Sequence, residues 1–241
     1  MKKRGFLNRI WIWLLRFRYR KGYGVHSPFA FDLITNVFYG EMPFYDFPFL
    51  KEQIEKVQTG SVVSNKRYLE SRNICEMLFK LVDDSRSNTI LEVGTMGGAA
   101  MVYLSASRKK GRCISIDHES PANILARNIF HLCNANVDYR IGDVEKLLPD
   151  LLSELGTLDF LLLNPEEYPI KDIRLMFDLC CEKSNQNSVF VIRDIHSSRV
   201  IRKWWNQIVA DEKVGITFDL YDLGIVYFDK RKIKQHYIVN Y

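Results

Sequence analysis

The sequence predicts an α/β fold: a doubly wound, mostly parallel sheet with helices on both faces, a C-terminal antiparallel hairpin and an N-terminal helical arm. The main observation is that short apolar runs alternate with longer amphipathic segments between residues 89 and 211. Such alternation requires crossover connections, which make successive strands parallel and cover both faces of the sheet. After residue 211, two β-rich runs flank a short turn, which is the pattern of a hairpin.

The individual elements follow from this periodicity. The predicted strands are Thr89–Val93, Cys113–Ile116, Val137–Ile141, Leu158–Leu163 and Ser188–Ile192. The predicted helices that follow them are Ala99–Ser107, Pro121–Cys133, Val144–Leu155, Ile170–Glu182 and Arg199–Asp211. The hairpin strands are Val214–Leu220 and Gly224–Asp229, and a further helix runs from a cap at Ser64 to about Val82. Five strand–helix units and a hairpin differ from the six-strand layout of dinucleotide-binding domains.

Residues 5–20 predict an amphipathic helix. Its apolar stripe consists of Phe6, Leu7, Ile10, Trp11, Leu14 and Leu15, and the opposite side carries Arg9, Trp13, Arg16 and Arg20. Basic and aromatic residues together are typical of a helix that lies on a membrane surface. The alternative, which we favour on the sequence alone, is a helix packed on the domain body or on the second subunit of a homodimer.

Residues 22–50 are rich in glycine, proline and aromatic residues. Pro28, Pro43 and Pro48 argue against long regular elements, and the aromatic content predicts an ordered arm because a disordered linker would be polar. The next residues, 51–63, predict a short helix that ends in a Gly-Ser turn. We therefore divide the chain into an N-terminal helix and arm, residues 1–63, and an α/β domain, residues 64–241.

The net charge of +5 comes from the N-terminal end. Residues 1–31 contain eight Lys or Arg and no Asp or Glu, whereas the remainder contains 26 basic and 29 acidic residues. The α/β domain has no basic surplus, so we expect no nucleic-acid partner.

The five cysteines have no zinc or disulfide spacing, which predicts free thiols and a cytoplasmic location. No apolar stretch reaches the roughly 18 residues that a membrane-spanning helix needs.

The strongest chemical signal is Ile90–Gly98, ILEVGTMGG, which joins the first strand to the next helix. Gly94 and Gly98 let the backbone turn sharply and approach a ligand, and the helix start offers free N–H groups. The dinucleotide motif G-x-G-x-x-G requires a glycine where Met96 stands, so a nicotinamide cofactor is disfavoured. Glu92 adds a carboxylate at the end of the strand.

Two acidic residues follow the next two strands. Asp117 lies at the tip of the second strand, where a carboxylate can accept hydrogen bonds from both hydroxyls of a ribose; the less favoured alternative is a surface cap for the next helix. His118 either flanks a nucleobase or is an exposed loop residue. Asp143 follows the third strand and either meets the ligand, caps the next helix, or does both.

The motif E-x-G-x-x-G-G at residues 92–98 resembles motif I of the class I methyltransferases that use S-adenosylmethionine (SAM), a molecule without a pyrophosphate. The order of elements, the spacing of the acidic residues and the terminal hairpin make residues 64–229 similar to the catechol and caffeoyl-CoA O-methyltransferase group. The segment GVHSPF at residues 24–29 also resembles a bacterial subgroup of that group.

This resemblance implies a Rossmann-like fold with SAM as cofactor. It implies that Glu92, Gly94 and Gly98 shape the methionine side of the pocket and that Asp117 holds the ribose. The remaining cofactor contacts that it implies are His118, Asp143 and Asn164.

The metal-dependent members of the group hold Mg²⁺ with an Asp after the fourth strand and an Asp-Asn pair after the fifth. The matching positions here are Asn164, Asp194 and Ile195. A single carboxylate beside an apolar side chain is a poor donor set for a hard cation, and Arg193 adds a positive charge. We therefore expect no catalytic metal.

Asp194 and His196 follow the fifth strand, at the edge where doubly wound sheets place their sites. His196 is a candidate general base toward a substrate hydroxyl, with Asp194 orienting it. Alternatively, Asp194 or Ser197 caps the next helix and His196 is an ordinary surface residue. Methyl transfer from SAM depends largely on alignment of the reacting atoms, so activity does not require a recognisable base.

These observations predict SAM-dependent O-methylation of a small-molecule or lipid-like acceptor. The alternative is a catalytically inactive binding or scaffold protein of the same fold. If the helix at residues 5–20 lies on a membrane surface, which is the less favoured of its two interpretations, it would give either protein a peripheral contact with a membrane.

Overall fold

A computed structural model describes residues 6–41, 44–60 and 71–241. Eight strands form one sheet in the order β3-β2-β1-β4-β5-β7-β6-β8. The strands are β1 Thr89–Val93, β2 Arg112–Asp117, β3 Asp138–Ile141, β4 Phe160–Leu163, β5 Val189–Arg193, β6 Thr217–Asp219, β7 Leu223–Tyr227 and β8 His236–Ile238. Strands β1 to β5 are parallel, and β7 is antiparallel to both β5 and β6. The predicted parallel sheet and terminal hairpin are therefore confirmed.

The helices cover both faces of this sheet. They are α1 Phe6–Arg16, α2 Pro28–Asp32, α3 Asp46–Gly60, α4 Arg72–Ser85, α5 Ala99–Ser107, α6 Ala122–Leu132, α7 Val144–Glu154, α8 Ile170–Glu182 and α9 Arg199–Ala210. Buried side chains of α3 to α6 form one core layer, and those of α7, α8 and α9 form the other. All four residues of β4 are buried because its neighbours and both helical layers enclose it.

The arm contains more helix than its prolines predict. Pro28 is the first residue of α2, which continues as a π-helix over Leu33–Phe38, and Pro48 lies in the first turn of α3. The prediction that prolines exclude long regular elements is wrong here, because proline fits the first turn of a helix, where its missing N–H is not needed. Ser27 strengthens the start of α2 by accepting a hydrogen bond from the Ala30 N–H at 3.3 Å.

The arm packs into the same core layer as α4 and α5. Leu33, Ile34 and Phe38 are almost completely buried, and the Phe38 ring meets Phe218 of β6 edge-on at 5.4 Å. The predicted cap at Ser64 and the domain boundary after residue 63 lie outside the described residues. Ser71 precedes the described start of α4.

The edge of the sheet beyond the hairpin carries an unpredicted strand. β8 pairs in parallel with β6, so that Phe218 lies opposite Tyr237. The chain then returns toward α1, where the Asn240 N–H donates to the Tyr19 carbonyl at 3.2 Å and the Asn240 side chain donates to the Trp13 carbonyl at 3.3 Å. Both ends of the described chain therefore meet at this edge. Of the described helices, none is long and apolar enough to cross a membrane.

Candidate functional site

The carboxyl ends of the five parallel strands meet at one edge of the sheet, and the turn after β1 lies at its centre. Gly94 has φ +86°, and a side chain there would meet Asn164 Cβ at 3.0 Å and Tyr168 Cε2 at 3.3 Å. This position therefore requires glycine, because its backbone is left-handed and a side chain would crowd Asn164 and Tyr168. Met96 in the same turn adopts φ +52°, and α5 begins at Ala99.

Gly98 is needed for packing between helices. It has φ +82°, and a Cβ would lie 3.0 Å from Ala126 Cα and Ala126 Cβ on α6. Gly94 and Gly98 of the motif thus have different contacts: Gly94 faces the residues after β4, whereas Gly98 lets α6 approach the start of α5. The predicted role of Gly98 beside the cofactor stays a prediction.

Glu92 is completely buried beneath the turn. Its Oε2 accepts a hydrogen bond from Ser115 Oγ at 2.7 Å, and Ser115 Oγ lies 2.6 Å from Thr95 Oγ1 in the turn itself. The pKa of Glu92 is raised to about 8. Burial is the main cause and nearby Asp117 adds to it, whereas the hydrogen bond from Ser115 acts in the opposite direction. Glu92 is therefore mostly protonated at neutral pH, and it supports the turn through Ser115 and Thr95.

Asn164, directly after β4, ties that strand to the turn. Its side-chain amide donates to the Gly94 carbonyl, and its backbone N–H donates to Val93 at 3.0 Å. Two buried oxygens in this region, Asn164 Oδ1 and Glu92 Oε1, have no hydrogen-bond partner among the described residues. Buried polar atoms are rarely left without partners, so these two oxygens are candidates for contact with a polar ligand or an ordered water.

Asp117 ends β2 and is almost completely buried. Its Oδ1 accepts from the His118 N–H at 2.9 Å and lies 3.2 Å from His118 Nδ1. Tyr168 donates its hydroxyl to the same oxygen at 3.4 Å, and its ring lies edge-on to His118 at 5.6 Å between centroids. Because Tyr168 also approaches Gly94, its side chain lies across the space between the turn and Asp117. The sequence contains no pattern that predicts this contact.

Asp143 lies at the start of α7, on the far side of Asp117. The Gly142 N–H donates to the Asp117 carbonyl at 2.9 Å, which holds the end of β3 against the end of β2. The Asp143 side chain is half exposed and pairs with Lys146 at 2.8 Å. Asp143 occupies the N-cap position of α7, but its side chain makes no capping hydrogen bond, so the capping alternative holds for position only. Its contact with a cofactor stays a prediction.

Arg193, the last residue of β5, is buried and reaches the central turn. Its Nη1 lies 3.6 Å from Met96 Sδ. Burial lowers the pKa of Arg193, whereas the nearby carboxylates of Asp194 and Asp222 raise it. Asp194 follows in a left-handed conformation with φ +51°, and its N–H donates to the Asp222 carbonyl at 2.6 Å.

Ile195 is a core residue. It is completely buried, and a side chain at Gly224 would meet its Cγ2 at 2.9 Å. In the ranges that the structure describes, no three His, Cys, Asp or Glu side chains form a group able to hold a metal ion. The next helix, α9, begins under the cap of Ser198, whose Oγ accepts from the Ile201 N–H at 3.1 Å. The prediction of a cap at Asp194 or Ser197 is therefore wrong by at least one residue.

His196 pairs with a carboxylate that the sequence did not suggest. Its Nε2 lies 2.7 Å from Asp219 Oδ2 at the end of β6, and its ring stacks on Tyr221 at 4.8 Å. Arg16 of α1 donates to Asp219 Oδ1 at 2.8 Å and lies over the same tyrosine ring. Burial raises the pKa of Asp219, but the His196 hydrogen bond and the Arg16 charge outweigh it and hold the pKa below its usual range.

The candidate residues fall into two neighbouring groups. The first comprises the turn with Glu92, Gly94 and Asn164, together with Asp117 and His118 on the β2 side. The second comprises His196, Asp219 and Arg16 on the β5 side, and Arg193 lies between the two groups. Asp219 and Arg16 were missed because their contacts depend on how the hairpin and α1 pack.

Solved O-methyltransferases have the same fold. The O-methyltransferase from Bacillus cereus in complex with S-adenosylhomocysteine (SAH) superposes with a TM-score of 0.60 at 19% identity, covering 82% of this chain and 97% of that one. TomG from Streptomyces achromogenes, an O-methyltransferase in complex with SAM, gives 0.61 at 16%, covering 88% and 98%.

The SAH-bound methyltransferase PaMTH1 from Podospora anserina gives a TM-score of 0.63 at 11% identity, covering 84% of this chain and 96% of that one. No protein-family model and no curated protein sequence matches the chain. The structural likeness confirms the predicted Rossmann-like methyltransferase fold over most of the chain.

Proposed function

We propose that this protein transfers a methyl group from SAM to a hydroxyl of a small-molecule or lipid-like acceptor without a catalytic metal. The observation that carries the proposal is the pair of partnerless buried oxygens, Glu92 Oε1 and Asn164 Oδ1, around the Gly94 turn. They lie at the carboxyl edge of a doubly wound sheet, where ligands of such folds bind. Five free cysteines support a cytoplasmic location.

The residues present suit the cofactor. The Gly94 turn and Asn164 would border its methionine side, with Glu92 supporting the turn from below. The Asp117 carboxylate can accept two hydrogen bonds, as a ribose diol requires, while His118 and Asp143 would border the adenine. SAM supplies a methyl group already activated on a sulfonium, so the protein's main task is to align acceptor and cofactor.

His196 is our candidate for the group that takes the proton from the acceptor hydroxyl. When Nε2 donates its hydrogen to Asp219, the nitrogen that can accept a proton is Nδ1. Asp219, fixed by Arg16, orients the ring in this arrangement, a role first assigned to Asp194. Asp194, two residues before His196, stays a second candidate for a catalytic carboxylate.

One observation favours the alternative of a catalytically inactive binding or scaffold protein. Tyr168 lies between Gly94 and Asp117, where a nucleoside would have to bind. Under our proposal this side chain moves aside when SAM binds. Under the alternative it stays in place and the crevice remains closed.

Calorimetric titration of SAM and SAH tests the proposal. We expect Asp117→Ala to weaken binding about tenfold or more, since charge-assisted hydrogen bonds to the ribose are lost. Tyr168→Ala should bind more tightly than the wild type, because the crevice no longer has to open. Asp150→Ala, on the exposed side of α7, is the matched control and should bind like the wild type.

Two results would contradict the proposal. A folded Asp117→Ala variant with unchanged affinity would remove the ribose assignment. Absence of SAM and SAH binding in both the wild type and Tyr168→Ala would contradict the methyltransferase proposal and favour the scaffold alternative.

A further inference from the structure

The outward-facing side of α1 and the turn after it is strongly apolar. We call this surface the outer face of α1; its residues and exposed fractions are Ile10 40%, Trp11 62%, Trp13 44%, Leu14 52%, Leu15 63% and Phe17 42%. Four residues of the predicted apolar stripe, Ile10, Trp11, Leu14 and Leu15, thus face away from the protein. Contiguous exposed patches that contain several large apolar side chains mark interaction sites.

The helix is attached through its other side. Within residues 10–20, whose burial the structure describes, Ile12, Arg16 and Tyr19 turn inward, at the spacing of one helical face. Arg16 makes the decisive contact, because its guanidinium donates to both the side chain and the backbone carbonyl of Asp219. A polar anchor therefore holds α1 in place while its apolar face stays available.

The N-terminal segment itself carries charges of one sign. Residues 1–31 contain eight basic and no acidic residues. Arg18 and Arg20 are exposed at the end of the helix, where their guanidinium groups lie over the rings of Tyr19 and Phe17 at 4.7 Å and 3.6 Å. This arrangement of apolar surface bordered by cations fits an anionic lipid surface. A symmetric contact between two copies of α1 would instead bring two cationic segments together.

We propose that the outer face of α1 docks on the surface of a bilayer that contains anionic lipids, with the helix lying in the plane of the membrane. Its aromatic and leucine side chains enter the boundary between headgroups and acyl chains, and the flanking arginines contact the phosphates. At about 16 Å long, the helix can lie on a bilayer but cannot cross it. This docking does not depend on the methyltransferase proposal.

Co-sedimentation of the full chain with vesicles tests the docking. The vesicles consist of phosphatidylcholine alone or of equal parts phosphatidylcholine and phosphatidylglycerol. We expect binding to the anionic vesicles, weakened by high salt and reduced about tenfold or more by Trp11→Ser with Leu15→Ser, because the inserted apolar surface is lost.

The matched control is Leu132→Ser with Leu175→Ser, which removes two similarly exposed apolar residues from α6 and α8. We expect it to bind vesicles like the wild type. Thermal unfolding of both double variants should match the wild type, since all four side chains are exposed.

Three results would overturn the proposal. Equal binding by the Trp11/Leu15 variant and the control would place the contact elsewhere. Equal binding to both kinds of vesicle would remove the role of anionic lipid. Absence of vesicle binding, together with a dimer that the Trp11/Leu15 variant abolishes, would show that a second copy covers this face.

Discussion

At the scale of single residues, the buried carboxyl group of Glu92 sets a pH dependence. Its pKa of about 8 in the folded protein lies above the ordinary value of 4.5 expected for the unfolded chain. Below pH 4.5 both states are protonated, and Glu92 imposes no electrostatic cost on folding. As the pH rises from 4.5 to 8, the unfolded state releases the proton that the folded state retains, so stability falls across this window.

Glu92→Gln should remove this dependence. Glutamine can still accept the hydrogen bond from Ser115, and it carries no titratable proton. We expect the variant to be more stable than the wild type at pH 8, on the order of 4 kcal/mol, with the difference vanishing toward pH 4.5. Urea unfolding across this pH range measures it.

The control for this prediction is Glu212→Gln, an exposed residue after α9, which should follow the wild-type profile. A stability difference that stays the same at every pH would show that Glu92 does not titrate in this window.

At the scale of the elements, the turn between β1 and α5 is fixed by contacts with two different neighbours. Asn164 binds it from the end of β4, and α6 packs against its last glycine. The turn therefore couples the candidate site to both the sheet and a helix.

Gly98→Ala should disturb the contact between the turn and α6 while leaving the contact between the turn and Asn164 unchanged. The new Cβ would lie 3.0 Å from Ala126 Cα in a left-handed backbone conformation. We expect a loss of about 2–4 kcal/mol in unfolding free energy, from strain and overpacking together. Gly156→Ala is the control, because a Cβ there meets nothing within 4 Å and should change stability by about 0.5 kcal/mol or less. Equal unfolding midpoints for the two variants would contradict the prediction.

The elements that the sequence predicted best are those with strong local patterns. The strands β4 and β5 have nearly continuous apolar runs, and the helices that follow the parallel strands have amphipathic patterns. Gly94 and Asp117 occupy the expected turn and strand tip. β8 was missed because its three residues have no such run and pair with a strand 19 residues earlier. The partner of His196 was also missed, because Asp219 comes beside it only after the hairpin has packed on β5.

At the scale of the whole molecule, the two ends of the described chain stabilise one another. Asn240 donates hydrogen bonds to two carbonyls of the N-terminal segment, at Trp13 and Tyr19, and accepts one from the Tyr39 hydroxyl. β8 adds the strand that brings Asn240 to this position. The placement of α1 therefore depends on residues at the opposite end of the sequence.

Deleting residues 236–241 should loosen α1 while the central sheet remains folded. We expect trypsin to cleave after the basic residues of the N-terminal segment about tenfold faster, since local opening becomes easier. Far-ultraviolet circular dichroism should change only slightly, and cleavage sites in α6 and α8 serve as internal controls. An unchanged cleavage rate in the N-terminal segment would show that Arg16 alone holds the helix.

The contact between Asn240 and Trp13 also has a consequence for biosynthesis. The two residues are separated by 227 positions, so a ribosome that adds about 5–20 residues per second makes the second roughly 10 to 45 s after the first. Asp219, the anchor for Arg16, is made 203 positions after it. Throughout this interval the nascent chain displays its tryptophan- and leucine-rich N-terminal segment without the partners that later fix it. This segment is translated long before its partners and is thus among the last parts of the described chain to be secured, so a membrane or a chaperone has access to it before the sheet is complete.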